Sequence, residues 1–93
     1  MHWIKEEKEV LAACDEELLG KKLKKGKKKI EIKEDFYKGR KVKSKELQKL
    51  IKEYGNINLV GEKTVETAKK ERGNIQVKKI QGIPHALIFT INK

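Results

Sequence analysis

Five apolar residues in a row, Val10-Leu11-Ala12-Ala13-Cys14, interrupt an otherwise polar N-terminal half. A run of that length fits a strand buried on both faces. Met1 to Ile4 precedes it as a short first strand, with Glu6-Glu7-Lys8 as a polar turn. Lys29-Ile30-Glu31-Ile32-Lys33 alternates with period two, which predicts a strand with Ile30 and Ile32 inward. Leu47, Leu50, Ile51 and Tyr54 share one face at helical spacing. Ser44 stands where an N-cap belongs, Glu46 favours the first turn, and Gly55 ends the segment. Ile75 to Ile80 alternates well enough for a strand. Ala86 to Ile91 is apolar on both faces and rich in β-branched residues, which predicts a central strand.

Between these segments the punctuation is readable. Asp15 is placed to cap a short turn through Glu16 and Glu17, with Gly20 as its stop. Lys21 to Lys29 reads as a lysine-rich connection around Gly26. Phe36-Tyr37 leads into a turn at Lys38-Gly39-Arg40. Asn56 or Asn58 is expected to open a second helix, in which Gly61, Val65 and Ala68 share a face and Gly73 follows the end. Gln81 to His85 is expected as a loop, because Pro84 holds Ile83 away from the helical region. Strands at both ends with two helices between them predict an α/β domain, or α+β, over residues 1–93. Its sheet is small and mixed, with two main helices and two layers.

Composition narrows the function. A chain of 93 residues supports one small core, burying about 60–65% of the surface it exposes unfolded. No apolar run approaches the roughly 20 residues that cross a bilayer, and the N-terminus lacks the apolar core of a signal peptide. A cytoplasmic protein without a membrane partner is expected. The single Cys14 excludes an intrachain disulfide framework and multi-cysteine zinc motifs. His2, Cys14 and His85 have no metal-ligand spacing, and no phosphate-binding loop or dinucleotide glycine fingerprint occurs. Neither metal nor cofactor is expected. Lys and Glu dominate the charged residues while Pro, Met and Cys occur once each, a thermophile-like balance.

The charge is segregated. Residues 21–45 hold Lys21, Lys22, Lys24, Lys25, Lys27, Lys28, Lys29, Lys33, Lys38, Arg40, Lys41, Lys43 and Lys45 against Glu31, Glu34 and Asp35. The rest of the chain balances, so this window carries the whole formal charge of +10. A thermophile bias would intersperse both signs, whereas a contiguous cationic field answers an anionic partner. Lysine grips phosphate as a point charge and reads no sequence. The candidate nucleic-acid contacts are the seven lysines of 21–29, then Arg40, Lys41 and Lys43. Of the aromatic pair in this window, Phe36 is expected in the core and Tyr37 as the residue that stacks on bases. The competing interpretation is a solvated lysine face with both rings half-buried.

A second group has chemical potential. His85 follows Gly82-Ile83-Pro84 and is open to roles as base, anion ligand or hydrogen-bonded scaffold. Cys14-Asp15 ends a strand, where α/β folds place sites, although a buried thiol and a capping carboxylate explain both residues. Asn58 and Glu62 would share a helix face, or serve as cap and first-turn acid. Together Cys14, Asp15, Asn58, Glu62 and His85 define an alternative small-molecule or enzymatic pocket.

Four strings resemble a known family in order and spacing over nearly the whole chain. They are Val10 to Gly20, Glu34-Asp35-Phe36-Tyr37-Lys38-Gly39, Asn58-Leu59-Val60-Gly61-Glu62 with Val65 and Ala68, and Gly82-Ile83-Pro84-His85-Ala86. The sequence is similar to the small archaeal family catalogued as domain of unknown function 424. The resemblance implies an archaeal cytosolic protein, a compact α/β domain and a tie to RNA or translation, with no established activity. The chain departs from the family in its lysine-rich 21–29 segment and at Gly55-Asn56-Ile57-Asn58. The combined expectation is a non-enzymatic RNA-binding protein associated with translation or a ribonucleoprotein.

Overall fold

The apolar run is buried on both faces, as its pattern requires: Leu11 and Ala13 pack to one side, Ala12 and Cys14 to the other. A computed structural model describes residues 1–7 and 9–89; of Lys25 and Lys28 it describes the backbone alone. In chain order the strands are β1 (His2–Glu7), β2 (Val10–Asp15), β3 (Lys22–Lys25), β4 (Lys28–Glu31), β5 (Arg40–Val42), β6 (Asn56–Val60), β7 (Val77–Ile80) and β8 (Ile83–Phe89). The α-helices are α1 (Glu34–Tyr37), α2 (Ser44–Glu53) and α3 (Glu62–Arg72), and a 3₁₀ turn spans Glu16–Leu18. Six strands form a mixed sheet in the order β5-β1-β2-β6-β8-β7. The β2–β6 pair is parallel, and the neighbouring pairs are antiparallel. The β3–β4 hairpin forms a separate two-stranded sheet. The domain is α+β.

Each face of the large sheet has its own cluster. On one face Leu47, Leu50 and Ile51 of α2, with Val65 and Ala68 of α3, cover Ile4, Leu11, Ala13, Ile57 and Leu59. Helix α2 begins and ends close to its predicted limits, and Tyr54 packs half-buried beside this core. Its last carbonyls are held by α3: the Arg72 guanidinium donates to Ile51 O at 2.8 Å and to Tyr54 O at 2.6 Å. On the other face Leu23 and Ile32, Leu18 and Tyr37 close over Cys14, Val60 and Ile80. The expected two layers are therefore supplemented by a third, partial one.

Several local expectations are corrected. Asn56 and Asn58 do not open a helix; they alternate with buried Ile57 and Leu59 in β6, a central strand. The helix begins after Gly61, whose φ of +111° turns the chain from strand to α3. The expected loop at Gln81–His85 is a two-residue turn, Gln81-Gly82, with both φ values positive at 51° and 76°. That is the backbone a tight hairpin needs, so β8 already contains Pro84 and His85. Pro84 offers no N–H, but its carbonyl accepts from Gly61 N at 2.9 Å. The lysine-rich connection is the β3–β4 hairpin, and the turn at Arg40 opens the short edge strand β5. Leu87 and Phe89 of β8, expected inside, are 62% and 67% exposed, because their face of the sheet lies beyond the hairpin's cover. Thr90 and Ile91 lie outside the described residues.

Asp15 caps a helix, though not the one that follows it. The 3₁₀ turn after it takes no side-chain cap bond. Instead the carboxylate ends β2 beneath the start of α3, where it accepts from Lys63 N at 3.1 Å, Thr64 N at 2.7 Å and the Thr64 hydroxyl at 2.7 Å. These bonds satisfy two of the helix's free N–H groups and place negative charge at the positive end of its dipole. The Thr64 hydroxyl spends its one proton on Asp15, so it accepts from His2 Nδ1–H at 2.8 Å. Neutral His2 then accepts at Nε2 from the Ser44 hydroxyl at 2.9 Å. The chain Ser44–His2–Thr64–Asp15, buried from His2 inward, ties the first turns of α2 and α3 to the two strands beneath them. Ser44, expected as an N-cap, is the first residue of α2 and turns its hydroxyl to His2.

Two outcomes follow for stability. A Cβ on Gly61 would meet the Asp15 carboxylate at 2.3–2.6 Å in a backbone region that L side chains avoid. Gly61→Ala is expected to cost about 2–4 kcal/mol in urea unfolding, combining strain with a disrupted buried cap. Burial lowers the pKa of His2 against the opposing pull of Asp15, and burial lowers that of His85 as well. A depressed imidazole pKa means the folded form resists protonation, so this contribution is complete above the ordinary value of 6.5 and is lost as pH falls below it. The thermal midpoint should drop between about pH 7 and pH 5, the window below that ordinary value, and less steeply in His2→Gln.

Candidate nucleic-acid interface

The β3–β4 hairpin owes its register to two apolar residues. Leu23 pairs with Ile30, and Leu23 is buried against the sheet while Ile30 is half-buried. Alternation then sends Lys22, Lys24 and Lys29 to the solvent face, where Lys24 stands opposite Lys29. Lys25 pairs with Lys28 in the same ladder, beside the Gly26-Lys27 turn. Like charges directly across a strand pair are destabilising. Among the described residues, no ion pair relieves Lys21, Lys22, Lys24, Lys27 or Lys29.

The other half of the basic window is different. Arg40 lies between Glu6 and Glu46, Lys41 meets Glu16 at 2.8 Å, and Lys38 pairs with Glu34. The ammonium groups of Lys41 and Lys38 stand 5.1 and 5.7 Å from the centre of the half-buried Trp3 ring. Lys43 precedes α2 and is exposed. Among the described residues, the cations that sequence position groups together thus divide into an unneutralised hairpin, a paired patch of Lys38, Arg40 and Lys41 beside β5, and Lys33, Lys43 and Lys45, exposed and outside any ion pair.

The aromatic pair is reversed. Phe36 is 43% exposed and Tyr37 is 8% exposed, with their rings edge to face at 4.9 Å. The expectation assumed strand alternation, but these residues sit in the single helical turn α1, where neighbours diverge by about 100° and the second points back to the sheet. Burial pushes the Tyr37 hydroxyl up to about 12, so it remains protonated.

The five residues of the alternative pocket do not converge. Cys14 is fully buried between Ala12, Val60 and the hairpin, and burial followed by the nearby Asp15 and Glu17 charges pushes its thiol up to about 12. Strand β6 separates it from His85, since Val60 pairs with both. Asp15 faces α3, and Glu62 is exposed on that helix. The other four fall into two separate hollows: Asp15 and Glu62 line one of about 190 Å³ with Lys63, Gly82 and Ile83, and Asn58 and His85 share the other. The latter two line a cavity of about 340 Å³ on the sheet face, with Gln76, Lys78, Leu87 and Tyr37. The register places Asn58 opposite Leu87, and His85 opposite both Val60 and Lys78. His85 Nε2 is buried there without a hydrogen-bond partner. No group of three or more His, Cys, Asp or Glu side chains among the described residues is arranged to hold a metal. No helix among them is long and apolar enough to cross a membrane.

Residues 2–91 match the family described as "Protein of unknown function (DUF424)". The chain belongs to that family. The DUF424 fold is shared with the crystal structure of an uncharacterized conserved protein from Methanopyrus kandleri, at a TM-score of 0.71 and 26% identity over 99% of this chain and 94% of that one. No curated protein matches the sequence. In this DUF424 chain His2, Ser44 and Thr64 were not legible as partners, because 42 and 62 residues separate them from His2 and no local motif marks the set. The cavity was half legible, through Asn58 and His85; Gln76 and Lys78 carry no local signal.

A thiol so buried and so weakly acidic is an inert packing group. Cys14 should resist iodoacetamide at pH 8 in the folded protein and react promptly in urea, as read by intact-mass spectrometry. Rapid labelling of the native chain would restore Cys14 as a candidate nucleophile.

Proposed function

We propose that this protein binds RNA without catalysing a reaction on it, as a component of translation or of a ribonucleoprotein. The observation that carries the reading is the β3–β4 hairpin: a ladder with solvent-facing Lys22, Lys24 and Lys29 that is left unneutralised, while Lys38, Arg40 and Lys41 of the same basic window are paired. Repulsion across Lys24 and Lys29 costs folding stability and gains a return only when an anion sits against them. Phosphates spaced along a nucleic-acid backbone fit such a row, and their binding releases counterions. The tie to RNA comes from the family resemblance and the non-specific character from lysine chemistry. Arg40 and Lys41 contribute to the field around the site, but each must exchange a carboxylate for a phosphate to make contact. Lys43 is free to add a peripheral contact. A cytoplasmic setting fits this role.

The small-molecule or enzymatic alternative is split, since Cys14 is packed away, Asp15 is committed to α3, and Glu62 lines a different hollow from Asn58 and His85. Neither a thiol nor a carboxylate is among the described residues that line the cavity of Asn58 and His85.

The test is electrostatic. Binding to RNA, followed by fluorescence anisotropy across a salt series, should fall with a log–log slope near about −3.5 for five contacts at about −0.7 each. Replacing Lys22, Lys24, Lys27 and Lys29 with Gln should flatten the slope to about −0.7, the one contact that remains, and weaken all sequences alike, while the thermal midpoint holds or rises as the repulsion is relieved. Unchanged binding in that variant would reduce the hairpin to a solvated face.

A further inference from the structure

The hairpin holds a backbone but reads nothing, and the neighbouring sheet face carries groups of another kind. The cavity bounded by β6, β7, β8 and α1 lies on the same side of the sheet as the hairpin, and the two share Ile80 and Tyr37 in one cluster. Its polar lining is an imidazole, two carboxamides and an ammonium, from His85, Asn58, Gln76 and Lys78, and it contains no acid. Its apolar lining includes the exposed Leu87 and the buried ring of Tyr37. At about 340 Å³ it lies at the small end of small-molecule sites, about 300–1,000 Å³.

A buried polar atom without a partner needs an explanation, and Nε2 of His85, a residue that lines this cavity, is such an atom. The atom is screened from solvent as the ring stands, and a ligand in the cavity supplies a partner once the imidazole turns Nε2 toward it. Carboxamides and a neutral imidazole present donors and acceptors side by side, the complement of a nucleobase edge. Beyond the cavity the same face continues with Phe89, which pairs with Asn56 in register and is exposed, and the exposed Phe36 stands on the Tyr37 side. Exposed rings stack on unpaired bases of any sequence. A peptide adding itself as a strand would use a sheet edge, here β5 or β7, and this site is on the face. The acid-free lining beside a lysine ladder likewise selects an anionic ligand.

We propose that this cavity receives one unstacked base of a single-stranded RNA segment, with His85, Asn58 and Gln76 meeting the base edge and Lys78 the adjoining phosphate. The inference rests on the RNA reading above and adds to it a preference for single strands and some selectivity among bases. The hairpin supplies sequence-independent hold on the flanking phosphates. Phe89 and Phe36 offer stacking surfaces to the neighbouring bases.

Two arms separate the cavity from the hairpin. In the first, the full-length protein is titrated with uncharged adenosine, guanosine, cytidine and uridine and followed by amide and imidazole chemical shifts. Saturable shifts are expected at Asn58, His85 and Leu87 for at least one nucleoside, with the hairpin resonances unmoved. In the second, Gln76→Ala, Asn58→Ala and His85→Ala are measured against single-stranded and duplex RNA. Losses of about 5- to 50-fold are expected for the single strand, the scale of one base contact, with the salt slope unchanged and duplex binding little affected. Gln76 is exposed and outside the strands, so its variant reports on binding even where the other two unfold. Silence from all four nucleosides together with wild-type affinity in Gln76→Ala overturns the cavity assignment and leaves the lysine grip standing. Nucleoside shifts without any RNA binding uphold the cavity and overturn the RNA reading.

Discussion

One buried carboxylate organises this small domain. Asp15 ends the central strand β2 and accepts three hydrogen bonds from the start of α3, two of them from backbone amides. A carboxylate removed from water carries a large desolvation cost unless charge-assisted hydrogen bonds and a favourable dipole offset it, and both are present here. The requirement propagates outward. Gly61 must lack a side chain because its α-carbon lies against the carboxylate. Thr64 must direct its proton inward, which fixes the tautomer of His2 and gives Ser44 an acceptor. Two helix starts and two strands are thereby set against one another by a handful of polar atoms, in a chain too short to rely on a large core.

That arrangement decides which surfaces remain available. The two longer helices cover the centre of one face of the sheet. The opposite face is covered only where the β3–β4 hairpin, the 3₁₀ turn and α1 reach, over Cys14, Val60 and Ile80. Past that cover Leu87 and Phe89 are left in solvent beside an amide- and imidazole-lined hollow. The hairpin anchors itself with Leu23 and the following Ile32 and turns Lys22, Lys24 and Lys29 outward, so the cover of the core and the cationic ladder are two sides of one element. A basic ladder and an open sheet face on the same side of the molecule form a continuous surface suited to a polyanion with planar groups, and the proposed RNA role draws on both halves.

The separation of charge into paired and unpaired sets has a related origin. Strand β5 and the start of α2 lie beside acids on β1, on the 3₁₀ turn and within α2, so Arg40 and Lys41 find partners. The hairpin projects away from those elements, and its ladder contains a single acid, Glu31, opposite Lys22. Exposed pairs of this kind contribute little to stability. Their effect is on the field: they cancel much of the charge near β5 and leave the hairpin as its centre.

The sequence determined the elements whose signals are local. Continuous burial of Leu11 to Cys14, the apolar stripe of α2, the inward Ile32, the end of α3 at Gly73 and the segregation of positive charge all follow from periodicity or composition within a short window, and each is realised in the fold. Family membership was legible for the same reason, from strings of neighbouring residues. What tertiary structure alone decided involves partners far apart in the chain or a choice between faces. Asp15 could be read as a cap but not as the cap of a helix nearly 50 residues away. Asn58 carried an equally good cap signal, and strand pairing with Ala12 and Leu87 overrode it. Phe36 and Tyr37 exchanged roles because one helical turn rotates neighbours differently from a strand. Leu87 and Phe89 bear the same apolar pattern as buried strand residues, and whether such a face meets a hairpin or water depends on where the hairpin lands. Local preferences of a kilocalorie or less set the elements; the burial of a charged cap and the cover of one sheet face, worth several times more, set their meeting points.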